Sequence, residues 1–133
     1  MKPEKLVHIG IVVSDLDGTL RIFEEKFGLG CAMRRELPEH GIEIAKIPIG
    51  ELDLEFIRPL SAGSSIQKFL DKKGPGLHHL CFGVDNVTKW IKRLEESGVE
   101  MVDRIPRSGA DGRSIAFIHP KSTGGILIEL EEE

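Results

Sequence analysis

Apolar residues change their spacing along this chain in a set order, and the order occurs twice. Residues 7–13 and residues 79–84 are short apolar runs of β type, each followed by a residue suited to cap a helix, Ser14 or Asp85. Helical spacing comes next: Leu16, Leu20, Phe23 and Phe27 in the first copy, Val87, Ile91 and Leu94 in the second. Gly28 and Gly98 stand where helix-ending glycines belong. Three strand-like runs then complete each copy, residues 42–47 and 52–57 being two of those in the first. Between the copies, Ser64-Ser65-Ile66-Gln67 reads as a capping box that opens a short helix through Leu70, and Lys72-Lys73-Gly74-Pro75-Gly76 reads as a linker.

The two copies align residue by residue. An offset of 71 puts His8 on His79, Val13 on Val84, Leu16 on Val87, Leu20 on Ile91 and Phe23 on Leu94. It also puts Ile44-Ala45-Lys46-Ile47 on Ile115-Ala116-Phe117-Ile118. A longer turn shifts the offset to 74, where Leu52-Asp53-Leu54-Glu55-Phe56 meets Ile126-Leu127-Ile128-Glu129-Leu130. The expected fold is therefore α+β, a single domain over residues 1–133 built from two βαβββ modules. The first module takes residues 5–60, a connector with a short helix takes 61–76, and the second module takes 77–133.

The duplication sets a His near the start of each first strand and a Glu in each last strand. One His in an apolar strand is ordinarily a half-buried side chain, and a Glu such as Glu55 or Glu129 can face water on a polar strand face, as Asp53 and Glu131 are expected to do. Recurrence of both ligand types at equivalent places changes that reading. If the modules pair about a pseudo-twofold axis, His8, Glu55, His79 and Glu129 converge on one metal ion. Two imidazoles and two carboxylates suit Co²⁺, Ni²⁺, Mn²⁺, Fe²⁺ or Zn²⁺ rather than calcium or magnesium, which favour all-oxygen shells. Four such ligands leave two positions of an octahedral ion for water or substrate. His78 adjoins His79 and so points to the other face of its strand. His40 and His119 adjoin turn signals and are read as loop residues.

Composition narrows the classes. Of the 133 residues, 40% are hydrophobic and 30% charged, enough for a core and a hydrated surface. A net charge of −4 gives no basic face for nucleic acid. Two isolated thiols, Cys31 and Cys81, fit a reducing compartment, each as a small core residue. No apolar run reaches membrane-spanning length, and residues 6–13, interrupted by His8, do not make a signal peptide. A cytoplasmic location follows by elimination. A single Gln and a single Asn beside many Glu, Lys and Arg hint at a heat-loving source.

Several stretches carry a family resemblance: His8-Ile9-Gly10-Ile11, residues 54–60 (LEFIRPL), Gly74-Pro75-Gly76-Leu77-His78-His79-Leu80, and above all residues 115–130, IAFIHPKSTGGILIEL. With the doubled module and its His/Glu pattern they resemble the vicinal oxygen chelate (glyoxalase-like) superfamily and, within it, the methylmalonyl-CoA epimerase family. The resemblance covers nearly the whole chain. It implies that His8, Glu55, His79 and Glu129 are metal ligands, with Co²⁺ as first choice, and that Glu43 and Glu129 are the two acid–base residues. The implied reaction is removal and return of the C2 proton of methylmalonyl-CoA through a metal-stabilised enolate. The implied partners are an acyl-CoA substrate and a second copy in a homodimer, with no nucleic acid and no membrane. Arg34, Arg35, Lys72, Lys73 and Lys121 are available for the CoA moiety, and none is assigned. The rival readings are a glyoxalase I-type lactoylglutathione lyase and a non-catalytic small-molecule-binding protein on the same scaffold.

Overall fold

A computed structural model describes residues 1–133. Its regular elements are β1 (Lys5–Val12), α1 (Leu16–Phe27), β2 (Met33–Leu37), β3 (Ile42–Ile49), β4 (Leu52–Pro59), α2 (Ser65–Lys73), β5 (Gly76–Val84), α3 (Val87–Glu96), β6 (Arg107–Ser108), β7 (Ser114–Ile118) and β8 (Ile128–Glu132). Apart from the connecting α2, the order is βαβββ followed by βαβββ, as the repeat implies. Packing divides the chain into two compact units, Ile9–His78 and Met1–His8 with His79–Glu133. The boundary therefore cuts through β1 and β5, where the sequence repeat had placed it in the connector.

In the unit Ile9–His78 the strands follow the order β2-β3-β4-β1. A two-residue turn, Gly50-Glu51, sets the antiparallel register of β3 and β4, with Ile49 opposite Leu52, Lys46 opposite Glu55 and Glu43 opposite Arg58. Residues directly opposite share a face. Ala45, Ile47 and Phe56 thus lie together, and α1 covers them with Leu16, Leu20 and Phe23. Leu16 is 1% exposed. Truncating a side chain buried to that extent costs about 2–5 kcal/mol. Phe27, on the same helical stripe, is 66% exposed, because it is the last helical residue before the left-handed Gly28.

In the other unit β5, β8, β7 and β6 follow one another. β5 and β8 are parallel, with Cys81 opposite Glu129, and β7 runs antiparallel to β8, with Phe117 opposite Glu129. Alternate residues Ile128 and Leu130 face α3, whose Val87, Trp90 and Ile91 close that core. Glu129 and Glu131 therefore belong to the face that α3 leaves uncovered.

Both long helices start one residue later than expected. Asp15, not Ser14, accepts the hydrogen bond from the Gly18 N–H, and Asn86, not Asp85, accepts from Lys89. Asp85 instead accepts from the Asn86 N–H and from Trp90 Nε1. Ser64 caps α2 through the Gln67 N–H as the capping box implies, but the helix runs on to Lys73. Cys31 is exposed in the link between α1 and β2 rather than buried, while Cys81 is fully buried.

Candidate metal centre

β1 ends its first four residues with His8, and the Glu4 N–H donates to Gly83 O at 2.8 Å at the entry to that strand. His79, on β5, and Glu129, on β8, lie in the same unit. His8 Nε2 and His79 Nε2 are 2.9 Å apart, and Glu129 Oε1 lies 3.1 Å from each. The three residues are 3%, 5% and 6% exposed. Burial alone would raise the Glu129 carboxyl, but hydrogen bonds from His79 and His8 outweigh it and hold the group at about 2. It is therefore ionised throughout the neutral range.

These distances suit an ion. Metal–nitrogen and metal–oxygen bonds of about 2.1 Å at right angles set neighbouring donor atoms about 3.0 Å apart. Two Nε2 atoms and one carboxylate oxygen at 2.9, 3.1 and 3.1 Å match one triangular face of an octahedron. Phe117 stands edge-on to the His79 ring, with centroids 5.6 Å apart. Cys81, a buried thiol outside any disulfide on the same face, offers its Sγ within 4.8 Å of donor atoms on His8 and Glu129.

The remaining expected residues fall as follows. Glu55 is buried on β4 in the unit Ile9–His78. His78 packs edge-on against Phe69 of α2, 4.9 Å between centroids, and is no part of the His8–His79–Glu129 triad. His40 is exposed in a 3-10 turn, and His119 caps another, its Nδ1 accepting from the Lys121 N–H.

Glu43, expected as an acid–base residue, sits between two arginines. Its register partner is Arg58, so it lies on the α1 side of the sheet and not on the face that carries Lys46 and Glu55. There Arg34 Nε donates to it at 2.9 Å and Arg58 Nε at 2.6 Å, while Arg34 also reaches Asp17 of α1 at 2.6 Å. The hydrogen bond from Arg34 above all, with that from Arg58, holds the Glu43 carboxyl below its usual range. A carboxylate clamped by two guanidiniums ties α1 to the strands. The two-residue turn at Gly50-Glu51 gives Glu43 and Glu55 opposite parity along their strands.

Glu131 is a correction. Expected to face water, it is 7% exposed between Gly83 and Ile115. Burial first, then a hydrogen bond with Glu133 and the Glu129 charge, push its carboxyl well above the usual range. Arg107 was not singled out in the sequence, and it lies on the Glu129 face through its pairing with Ile115.

Residues 7–117 match the family described as the Glyoxalase/Bleomycin resistance protein/Dioxygenase superfamily. An ethylmalonyl-CoA/methylmalonyl-CoA epimerase of Cereibacter sphaeroides is 32% identical over 96% of this chain and 97% of its own length. The crystal structure of methylmalonyl-CoA epimerase from Mycobacterium tuberculosis superposes with a TM-score of 0.90 at 36% identity, covering 98% of this chain and 88% of that one. A Streptomyces coelicolor methylmalonyl-CoA epimerase variant in complex with 2-nitronate-propionyl-CoA superposes with a TM-score of 0.92 at 30% identity, covering 99% and 96%. No helix here is long and apolar enough to cross a membrane.

Proposed function

The chain belongs to the methylmalonyl-CoA epimerase family of the glyoxalase superfamily, and from that premise we propose that it interconverts the 2R and 2S epimers of methylmalonyl-CoA. The observation that carries the reading is the convergence of His8 Nε2, His79 Nε2 and Glu129 Oε1 at ion-coordinating spacing. The epimerases it resembles act on, or are bound with, acyl-CoA thioesters of the same class.

In this reading His8, His79, Glu129 and Glu55 hold one divalent ion of the borderline class that imidazole and carboxylate donors suit, with Co²⁺ the first choice implied by the family resemblance. Glu55 enters by its repeat equivalence to Glu129 and by its burial on β4. When bound, the ion supplies a Lewis acid for the negative charge that develops on the thioester oxygen as C2 loses its proton. Glu129 stays ionised and is the carboxylate that accepts the C2 proton from one face. His8 and His79 orient it, since both lie within hydrogen-bond reach of the same Oε1. Burial of all three excludes water from the proton in transit. Glu43, the second acid–base residue that the family resemblance implies, is the candidate for the opposite face, and Glu43→Gln tests that role. Two copies form the working assembly, a point that sedimentation velocity tests directly.

Proton NMR of methylmalonyl-CoA in D₂O is the test. Metal-dependent loss of the C2 proton signal is expected with Co²⁺-loaded protein and not with chelator-treated protein. Survival of that signal in the presence of stoichiometrically bound Co²⁺ would remove the substrate assignment while leaving the metal centre.

A further inference from the structure

The candidate centre has a cation beside it that the reaction as described leaves unused. Arg107 sits on β6 at the sheet edge, on the same face as Glu129, because Arg107 is opposite Ile115, Ile115 opposite Glu131, and Phe117 opposite Glu129. Its guanidinium carbon lies 5.3 Å from the centre of the Phe117 ring, and that ring is 5.6 Å from His79. Contacts thus run unbroken from the guanidinium to a candidate ligand.

The arginine is held as well as near. Arg107 Nε meets Asp103 Oδ1 at 3.2 Å, and the other Asp103 oxygen accepts the Phe117 N–H at 2.9 Å. Asp103 is 16% exposed and so is itself fixed, whereas the Arg107 side chain is 48% exposed. A guanidinium lying over an aromatic ring, with one N–H on a carboxylate, keeps its other N–H groups for a planar anion. A cation fixed in this way gives up little side-chain freedom when it binds.

We propose that Arg107 is the anion receptor for the acyl-CoA, gripping an anionic oxygen group of the substrate while the thioester end meets the His8–His79–Glu129 centre. This rests on the reading of the substrate as an acyl-CoA. Two groups share the required chemistry, the free carboxylate of the acyl chain and the phosphates of CoA. The alternative role for Arg107 is a staple that only holds the β6–β7 hairpin through Asp103.

Isothermal titration of Co²⁺-loaded protein with methylmalonyl-CoA separates these. Arg107→Gln is expected to weaken binding by about tenfold or more, as loss of charge-assisted hydrogen bonds does, and Arg107→Lys to recover part of it. Co²⁺ affinity and the thermal melt should match wild type in both. Repeating the titrations with methylmalonyl-pantetheine, which keeps the carboxylate and lacks the phosphates, identifies the group gripped. An equal Gln effect assigns the carboxylate; an effect confined to the CoA thioester assigns the phosphates. Unchanged methylmalonyl-CoA affinity in Arg107→Gln overturns the proposal, as does weakened binding that appears only together with a lower melting temperature or lost Co²⁺ affinity. If wild type binds the thioester but leaves its C2 proton in place in D₂O, the epimerase reading falls and the receptor role of Arg107 stands. If wild type does not bind it, both fall.

Discussion

His8 and His79 stand 71 positions apart in the chain and bring their Nε2 atoms to 2.9 Å, ring edge to ring face at 84°. Two buried imidazoles at that distance cannot both carry a proton toward each other, and their shared neighbour is an ionised Glu129. An ion that accepts both nitrogens removes the conflict. Adding Co²⁺ in hundredfold excess over its dissociation constant is expected to stabilise the protein by about 2.7 kcal/mol, read as a rise in melting temperature that EDTA reverses. His8→Ala and His79→Ala should each abolish the rise, which differential scanning calorimetry would reveal.

Glu129 has two tasks in the proposed chemistry, and an amide can take over only one. Glu129→Gln keeps an oxygen donor but cannot accept a proton. Co²⁺ binding followed by equilibrium dialysis should therefore weaken without disappearing. The rate of C2 proton exchange should fall by about 10²–10⁴-fold, the usual worth of a positioned acid–base group. Exchange at the wild-type rate would take Glu129 out of the proton path.

For Glu43 a stability effect is expected beside the catalytic one. Glu43→Gln leaves Arg34 and Arg58 facing a neutral amide, with an expected cost of about 1–2 kcal/mol, moderated because both arginines are about a third exposed. Exchange of the C2 proton should also fall in a folded sample, and a rate within about twofold of wild type would take Glu43 out of the proton path.

The same carboxylate sets a pH dependence. Its folded pKa lies below the ordinary value of 4.5, so the stability it contributes is fully present above 4.5 and is lost as the pH falls through the folded value. Wild type and Glu43→Gln should accordingly differ most at neutral pH, and their urea midpoints should draw together as the pH falls below 4.5. A gap that widens on acidification would show the clamp to be mis-assigned.

The cap of α1 gives a test of local structure. Asp15→Ala removes the acceptor for the Gly18 N–H and should cost about 1 kcal/mol, whereas Ser14→Ala, one residue away and exposed, should cost little. Thermal melts of the two variants decide between them.

Much of this protein could be read before any coordinates. Period and repetition are properties of a linear string, so the apolar stripes of α1 and α3, the doubling, and the equivalence of His8 with His79 and of Glu55 with Glu129 were already legible. Helix starts were legible only to within a residue, because Ser14 and Asp15, or Asp85 and Asn86, are all competent caps. The choice falls to whichever side chain reaches the third backbone N–H beyond it.

What the string could not say is which face of a strand is covered and what stands across it. Alternation places Glu129 and Glu131 together, but only the packing of β8 between β5 and β7 buries both. Glu43 needed the register of β3 and β4 before its partnership with Arg58, and hence its distance from the Glu55 face, became visible. Nothing in the string singles out Arg107; the pairing of β6 with β7 lays it over Phe117. By itself the sequence determined which residues have the chemistry to bind a metal and move a proton, because residue type and period are written in it. Tertiary structure decided which of them share one face and one partner, because that depends on pairings between segments far apart in the chain.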